Sequence, residues 1–148
     1  MSPRLSDYAE LRCLSNFSFL RGASHPDELV QRAHALGYRA LALTDECSVA
    51  GAVRAHLAAK AVNAAAQHAG SEGTAPLQLI LGAQFYVQAR SSSESAFTLV
   101  LLAQTLQGWG NLCAFITRLR RASPKGSYNL TRAGVAGADL RDCLALIC

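Results

Sequence analysis

The sequence has few features that would crosslink a small protein. Its five cysteines include no C-x-x-C pair; they are Cys13, Cys47, Cys113, Cys143 and Cys148. An odd number of cysteines without paired spacing argues against a disulfide framework and against a zinc knuckle. We therefore expect small, buried or half-buried free thiols.

Long apolar runs and charged residues are also scarce. No run approaches the roughly 20 apolar residues that a membrane helix requires, and the opening MSPRLSDYAEL has no apolar signal-peptide core. The chain is 51% hydrophobic and 16% charged, which excludes disorder by composition. We expect one compact domain over residues 1–148, located in the cytoplasm and without a membrane partner.

The excess of positive charge is local. The formal net charge is +4, and residues 118–132 contain no acid but five basic side chains: Arg118, Arg120, Arg121, Lys125 and Arg132. Such a patch can follow a phosphate backbone by counterion release, which would give a weak contact with DNA. A solvated helix end is the alternative, because Lys and Arg favour helix C-termini and Tyr128 is the one aromatic residue in this stretch.

Apolar periodicity predicts strands that alternate with helices. Helices are expected after Pro26, over 48–69, and on a face formed by Trp109, Leu112, Cys113, Ile116 and Leu119. The strands are expected at 8–14, 38–44, 77–88 with an interruption at Gly82, 96–103 and 143–148. This order predicts an α/β protein with a parallel sheet, in which functional groups collect at the C-terminal ends of strands. The sequence stops inside the last strand, which predicts an unfinished sheet edge and self-association.

Two adjacent carboxylates follow the second predicted strand in ALALTDECSVAGAV. Asp45 and Glu46 come directly after a buried apolar run, at the strand end where ligands bind in such folds. His25 is the one histidine expected near this face, although a His before Pro26 is more typical of a helix cap or an exposed residue.

Several ordered segments carry a resemblance to a known family. They are LRCLSNFSFLRGASHPDELVQRAHALGYRALALTDECSVAG, LVLLAQTLQGWGNLCAFIT and SPKGSYNLT. They resemble the N-terminal PHP (polymerase and histidinol phosphatase) domain of error-prone members of the bacterial C-family DNA polymerases, relatives of the polymerase III alpha subunit. The resemblance implies a partial, distorted β/α barrel, with about the first five of seven strands and no polymerase core. It also implies a role in DNA replication and repair after damage, with the remainder of a polymerase or a replication or repair protein as partner.

The same resemblance implies where metal ligands would stand. The family's His-x-His positions are Arg12 and Leu14 here, Thr-Asp-His is Thr44-Asp45-Glu46, and Gln84 and Thr98 stand where Glu and His are common. Arginine repels a cation, leucine has no lone pair, and glutamine offers only a neutral carbonyl. We expect no catalytic residues and no cofactor, with a single divalent ion at Asp45, Glu46 and His25 as the weaker alternative. We expect Arg12 to pair with Asp45 or Glu46 in place of a metal.

Three classes of function stay open at this stage. The first is a non-catalytic module of an error-prone DNA polymerase, inactive as an enzyme by itself although the parent family comprises DNA-directed DNA polymerases. The second is a metal-dependent phosphoesterase, against which Arg12 and Leu14 argue. The third is a truncated, non-functional fragment, which the stop within the fifth strand favours.

Overall fold

The computed structural model describes residues 8–68, 75–92, 94–136 and 138–148. Within these residues, no helix is both long enough and apolar enough to cross a membrane. The described part of the chain forms five strands and four helices in the order β1 (Ala9–Cys13), α1 (Pro26–Ala35), β2 (Ala40–Leu43), α2 (Ala52–His68), β3 (Gln78–Val87), β4 (Phe97–Ala103), α3 (Leu106–Arg121), α4 (Arg132–Ala136) and β5 (Cys143–Ile147). The last residue of the predicted helix 48–69 and most of the break after it, 70–74, lie outside the described residues.

The five strands form one sheet in sequence order, β1-β2-β3-β4-β5. The β1–β2 and β2–β3 pairs are parallel, whereas β3–β4 and β4–β5 are antiparallel. The expectation of a parallel sheet is therefore correct for the first three strands and wrong for the fourth. Residues 88–96 are too few for a parallel crossover, which takes roughly a dozen residues or more, so β4 turns back along β3.

Strand β3 continues without a break through Gly82, contrary to the predicted interruption. Gly82 pairs with Leu102, and a Cβ atom at Gly82 would lie 2.4 Å from the carbonyl oxygen of Leu101. The glycine therefore allows a close backbone approach within the sheet rather than ending the strand.

The helices cover one face of the sheet through two hydrophobic clusters. Helices α1 and α2 pack on β2 through a core that includes Val30, Ala55 and Leu43. Toward the β5 edge of the same face α3 buries Leu112 and Phe115 against β3 and β4, with Phe115 edge-on to Phe85 at 5.1 Å between ring centroids. These hydrophobic clusters fix the helices to the sheet, so the residues that follow β1, β2 and β3 have fixed positions.

The expectation of buried or half-buried free thiols is correct for four of the five cysteines and wrong for Cys148. All five cysteines are free thiols, Cys47 is buried and Cys148 is exposed.

Within the described residues β5 pairs with β4 alone, and Leu144 and Ile147 on it are 45% and 74% exposed. Self-association through this edge remains a prediction.

Replacing Gly82 by alanine should lower the free energy of unfolding by about 1–3 kcal/mol, because the added methyl group collides with the Leu101 backbone. Urea denaturation measures the change. Gly110→Ala is the matched control: Gly110 lies inside α3 with no atom within 4 Å of the new Cβ, so alanine should stabilise by about 0.5–1 kcal/mol. Equal effects at both positions would contradict the close approach.

Candidate functional site

The site lies where β1 and β2 end side by side. Thr44 joins the two strands: its backbone N–H donates to the Cys13 carbonyl at 2.8 Å, and its Oγ1 accepts from the Cys13 N–H at 3.0 Å. This pairing brings the residues after β1 next to Asp45 and Glu46. Asp45 and Glu46 therefore lie at the strand ends, as predicted.

Asp45 is a buried carboxylate enclosed by hydrogen-bond donors. Its side chain is 1% exposed. Oδ1 accepts from the Ser15 N–H at 2.8 Å and from the Ser18 hydroxyl at 2.6 Å, and Oδ2 accepts from the Ser15 hydroxyl at 2.7 Å. Three donors to one carboxylate compensate the loss of water on burial.

The loop between β1 and α1 closes around Asp45. The Ser18 hydroxyl has a second role, because it accepts from the Glu46 N–H at 2.9 Å. A Cβ atom at Gly22 would lie 2.0 Å from the Ser15 carbonyl oxygen, so the return of the loop over Ser15 requires glycine. The loop is thus positioned by Asp45 rather than by its own apolar residues: Phe19 at its tip is 84% exposed.

Glu46 binds side chains from three separate segments. Its Oε2 forms an ion pair with Arg21 Nη1 at 2.8 Å and accepts from Gln84 Nε2 at 2.6 Å. Its Oε1 accepts from the Tyr128 hydroxyl, which in turn accepts from the Tyr86 N–H. The pKa of Tyr128 is raised well above its ordinary value, mainly by burial and secondly by the hydrogen bond to Glu46. Tyr128 therefore remains protonated and donates this hydrogen bond.

The predicted pairing of Arg12 with Asp45 or Glu46 is wrong as a direct contact. Arg12 Nε donates to Gln84 Oε1 at 2.8 Å, and the Gln84 amide then reaches Glu46. Arg21, which the sequence did not single out, forms the ion pair instead. Arg12 lies at an exposed position of β1. Ser15 and Ser18 already donate hydrogen bonds to the two carboxylate oxygens of Asp45.

The basic segment is divided by the fold. Arg120 donates to the carbonyl oxygens of Glu46 and Cys47 at 3.2 Å and lies over the Tyr128 ring at 5.5 Å, so it belongs to the site. Arg118 lies over Phe115 and Arg132 over Phe97. Arg121 and Lys125 are exposed.

The remaining candidate residues do not gather at the two acids. His25 is exposed, and its Nδ1 lies 2.8 Å from Asn16 Nδ2. Its backbone N–H donates to Glu28 at 2.7 Å, which makes it the start of α1, as the Pro26 context predicts. Leu14 is half-buried beside the loop, and Thr98 lies inside β4 with its backbone paired to Cys148.

The donor set does not fit a divalent metal. Among residues 8–68, 75–92, 94–136 and 138–148, no three His, Cys, Asp or Glu side chains are placed to hold an ion. Protein donors occupy both oxygens of Asp45 and of Glu46, whereas a catalytic cluster needs several converging ligands and open positions for water.

Sequence reasoning missed Ser15, Ser18, Arg21 and Tyr128. The two serines had a weak signal, since they follow directly on a strand end in the turn-rich SNFSFLRG. Tyr128 lies far along the chain in a segment predicted to be irregular, and no local pattern connects it with Glu46.

The family model for the PHP domain matches residues 10–147. The chain belongs to the PHP domain family. Its mixed five-stranded sheet with flanking helices is therefore part of a PHP-type α/β barrel.

Curated relatives that are about 50% identical in sequence to this chain are much longer proteins. An error-prone DNA polymerase of Ralstonia nicotianae is 53% identical over 97% of this chain, and one of Azoarcus sp. is 51% identical over 94% of it. The chain spans 13% and 14% of their lengths. The similarity therefore concerns one portion of each polymerase.

Two solved structures share the fold at low sequence identity. A protein from Bifidobacterium adolescentis described as a metal-dependent phosphoesterase aligns with a TM-score of 0.54 at 20% identity, covering 79% of this chain and 34% of the other. An amidohydrolase from Chromobacterium violaceum aligns with a TM-score of 0.53 at 22% identity, with the same coverage. At these identities the likeness concerns the fold.

Ser18→Ala should lower the free energy of unfolding by about 1–3 kcal/mol, because it removes a donor from buried Asp45 and an acceptor from the Glu46 N–H. Arg12→Ala serves as the comparison and should cost about 1 kcal/mol or less, since Arg12 is exposed and water can reach Gln84 in its place. Guanidinium denaturation ranks the two. A larger loss of stability for Arg12→Ala than for Ser18→Ala would contradict this ranking. It would indicate that Arg12 is the main cation of the site.

Stability should decline as the pH rises from 9 to 11. Burial raises the pKa of Cys13 and of Cys47 from 9.0 to about 11, so both thiols ionise in the unfolded chain before they ionise in the folded one. Their contribution is complete below pH 9 and is lost as the pH approaches 11. Urea denaturation under reducing conditions measures this slope. Cys47→Ala should flatten it, whereas Cys148→Ala, at an exposed position, should leave it unchanged.

Proposed function

We propose that this chain is a non-catalytic PHP module of an error-prone DNA polymerase, in which a network of side chains replaces a metal centre. The module covers residues 1–148 as one domain and acts in the cytoplasm, in DNA synthesis associated with damage and repair. Its partner is the remainder of such a polymerase. The roughly 50% identity to portions of error-prone polymerases supports this assignment.

The saturation of Glu46 is the observation that carries the proposal. A metal would have to displace Arg21, Gln84 and Tyr128 from this carboxylate. Displacement would leave the partly buried Tyr128 hydroxyl without its partner, which costs about 1–3 kcal/mol. It would also break the ion pair of Arg21, whose half-exposed side chain water can solvate at a smaller cost. The cationic guanidinium of Arg21 already provides the charge compensation that a metal would provide.

The network has a structural role in this proposal. Glu46 joins the loop after β1, strand β3 and the segment that follows α3, which are distant in sequence. A metal-independent network keeps these parts together regardless of metal supply, which suits a domain that positions a larger polypeptide.

Restoring histidines at the family's ligand positions is the sharpest test. We expect the natural chain to retain less than one tightly bound zinc or manganese ion after dialysis, with an unchanged melting temperature in EDTA. The triple variant Arg12→His, Leu14→His, Glu46→His should gain zinc and melt higher with zinc than with EDTA, because three imidazoles then stand at the family's ligand positions.

Two matched measurements complete this test. The single variant Leu14→His, with Arg12 and Glu46 unchanged, should not gain zinc. Phosphatase turnover on a chromogenic phosphate ester should be absent from the natural chain with manganese present. Stoichiometric metal in the natural chain, together with phosphate release that EDTA abolishes, would replace the proposal by a metal-dependent phosphoesterase.

A further inference from the structure

The outer edge of β5 presents backbone groups that face away from the sheet. Cys148 and Thr98 exchange two backbone hydrogen bonds, at 2.9 and 3.0 Å. Because hydrogen-bonded pairs alternate along an antiparallel ladder, this pair turns the N–H and C=O groups of Ala145 and Ile147 away from β4. Within the described residues these groups have no partner in another strand. The ligand that such an edge fits is an extended peptide strand.

Strand β5 has none of the features that protect a sheet edge from further pairing. Edges are commonly protected by proline, by charged side chains or by a bulge. The sequence of β5 is CLALI, and its register with β4 is continuous. Leu144, Ala145 and Ile147 are exposed. Both the backbone and the apolar side chains of this edge are therefore available to a second strand.

The opposite edge of the sheet is protected. Strand β1 forms this edge within the described residues, and its Arg12 N–H donates to the Glu10 side chain at 3.0 Å. The register of β1 with β2 also shifts between Glu10 and Cys13. Charged side chains and an irregular register both oppose strand addition. Pairing at β5 therefore closes with two copies and does not continue into a fibre.

The backbone of β5 is complementary to itself. In an antiparallel pair centred on Ala145, this residue faces Ala145 of the partner subunit and exchanges two hydrogen bonds with it. The Ile147 N–H then meets the carbonyl of Cys143 of the partner subunit. The Cys143 N–H needs no new acceptor, because it already donates to the Leu140 carbonyl at 3.2 Å. This register overlaps the whole strand, whereas a shifted register leaves part of it unpaired.

The side chains of β5 suit the same register. On the face away from the helices, Leu144 lies opposite Leu146 of the partner subunit, which gives apolar cross-strand pairs. On the helix-covered face the small Ala145 side chain stands at the two-fold axis, where a residue meets its own copy. The strand carries no charge, so the axis brings no like charges together.

We propose that β5 pairs with β5 of a second copy of this chain, antiparallel and centred on Ala145. The two sheets thereby become one continuous sheet, and the exposed Leu144 and Ile147 gain apolar neighbours. One short strand from each copy makes a small interface, so we expect a dissociation constant of about 10–100 µM. The pairing goes beyond the proposed function and does not depend on it.

Sedimentation equilibrium with reductant and EDTA present tests this pairing. Ala145→Lys and Ala145→Glu should each weaken dimerisation about fivefold, because two like charges then face each other at the axis. An equimolar mixture of the two variants should restore it, because Lys then faces Glu. Val53→Lys and Val53→Glu are the matched controls: Val53 is 70% exposed on α2, and neither these variants nor their mixture should change dimerisation.

Every other outcome contradicts the proposal. A chain that is monomeric at about 500 µM, several times the expected dissociation constant, would overturn it. Equal weakening by the Val53 variants would mean an effect of net charge alone. Failure of the mixture to restore dimerisation would place Ala145 off the axis, and assemblies larger than a dimer would show that β1 also pairs. Circular dichroism verifies folding, and the reductant prevents crosslinking through exposed Cys148.

Discussion

A partly buried negative charge at the ends of two adjacent strands is the constraint on which this site depends. The Glu46 side chain is 18% exposed, so water cannot fully solvate its carboxylate and other groups must compensate it. The compensating donors come from the loop after β1, from β3 and from the segment after α3, as Arg21, Gln84 and Tyr128. One desolvated carboxylate thereby joins parts of the chain that are distant in the sequence.

Asp45 and Glu46 solve the same electrostatic problem differently. Asp45 is fully buried and is satisfied by neutral hydroxyls and a backbone N–H, which shapes the loop from Ser15 to Gly22. Glu46 is nearer the surface and takes a cation. A metal cluster would require both carboxylates to leave oxygens open for ions and water, and here the donors are built into the chain. In the non-catalytic role that we propose, the same strand ends provide rigidity rather than Lewis acidity.

The basic segment shows that charge in a sequence is not the same as charge on a surface. Arg120 is a core contact of the site, because its guanidinium satisfies two carbonyl oxygens next to Glu46. Arg118, Arg121, Lys125 and Arg132 remain exposed, although Arg118 and Arg132 lie over aromatic rings. Summed charge alone would therefore have overstated the surface that is available to an anion.

The sequence alone determined the order of the five strands and of the three longer helices, the burial of β2 and the location of the two acids, because these follow from local periodicity and from apolar residues next to each other. It predicted an irregular connection where the short helix α4 forms. It also determined the family, through motifs that lie in order along the chain. Local patterns did not determine the antiparallel turn of β4, the continuity of β3 at Gly82, or the partners of Glu46. The donor to a buried carboxylate is chosen by whichever side chain packing brings within about 3 Å, and Arg21 rather than Arg12 meets that condition only after the sheet and the loop have folded.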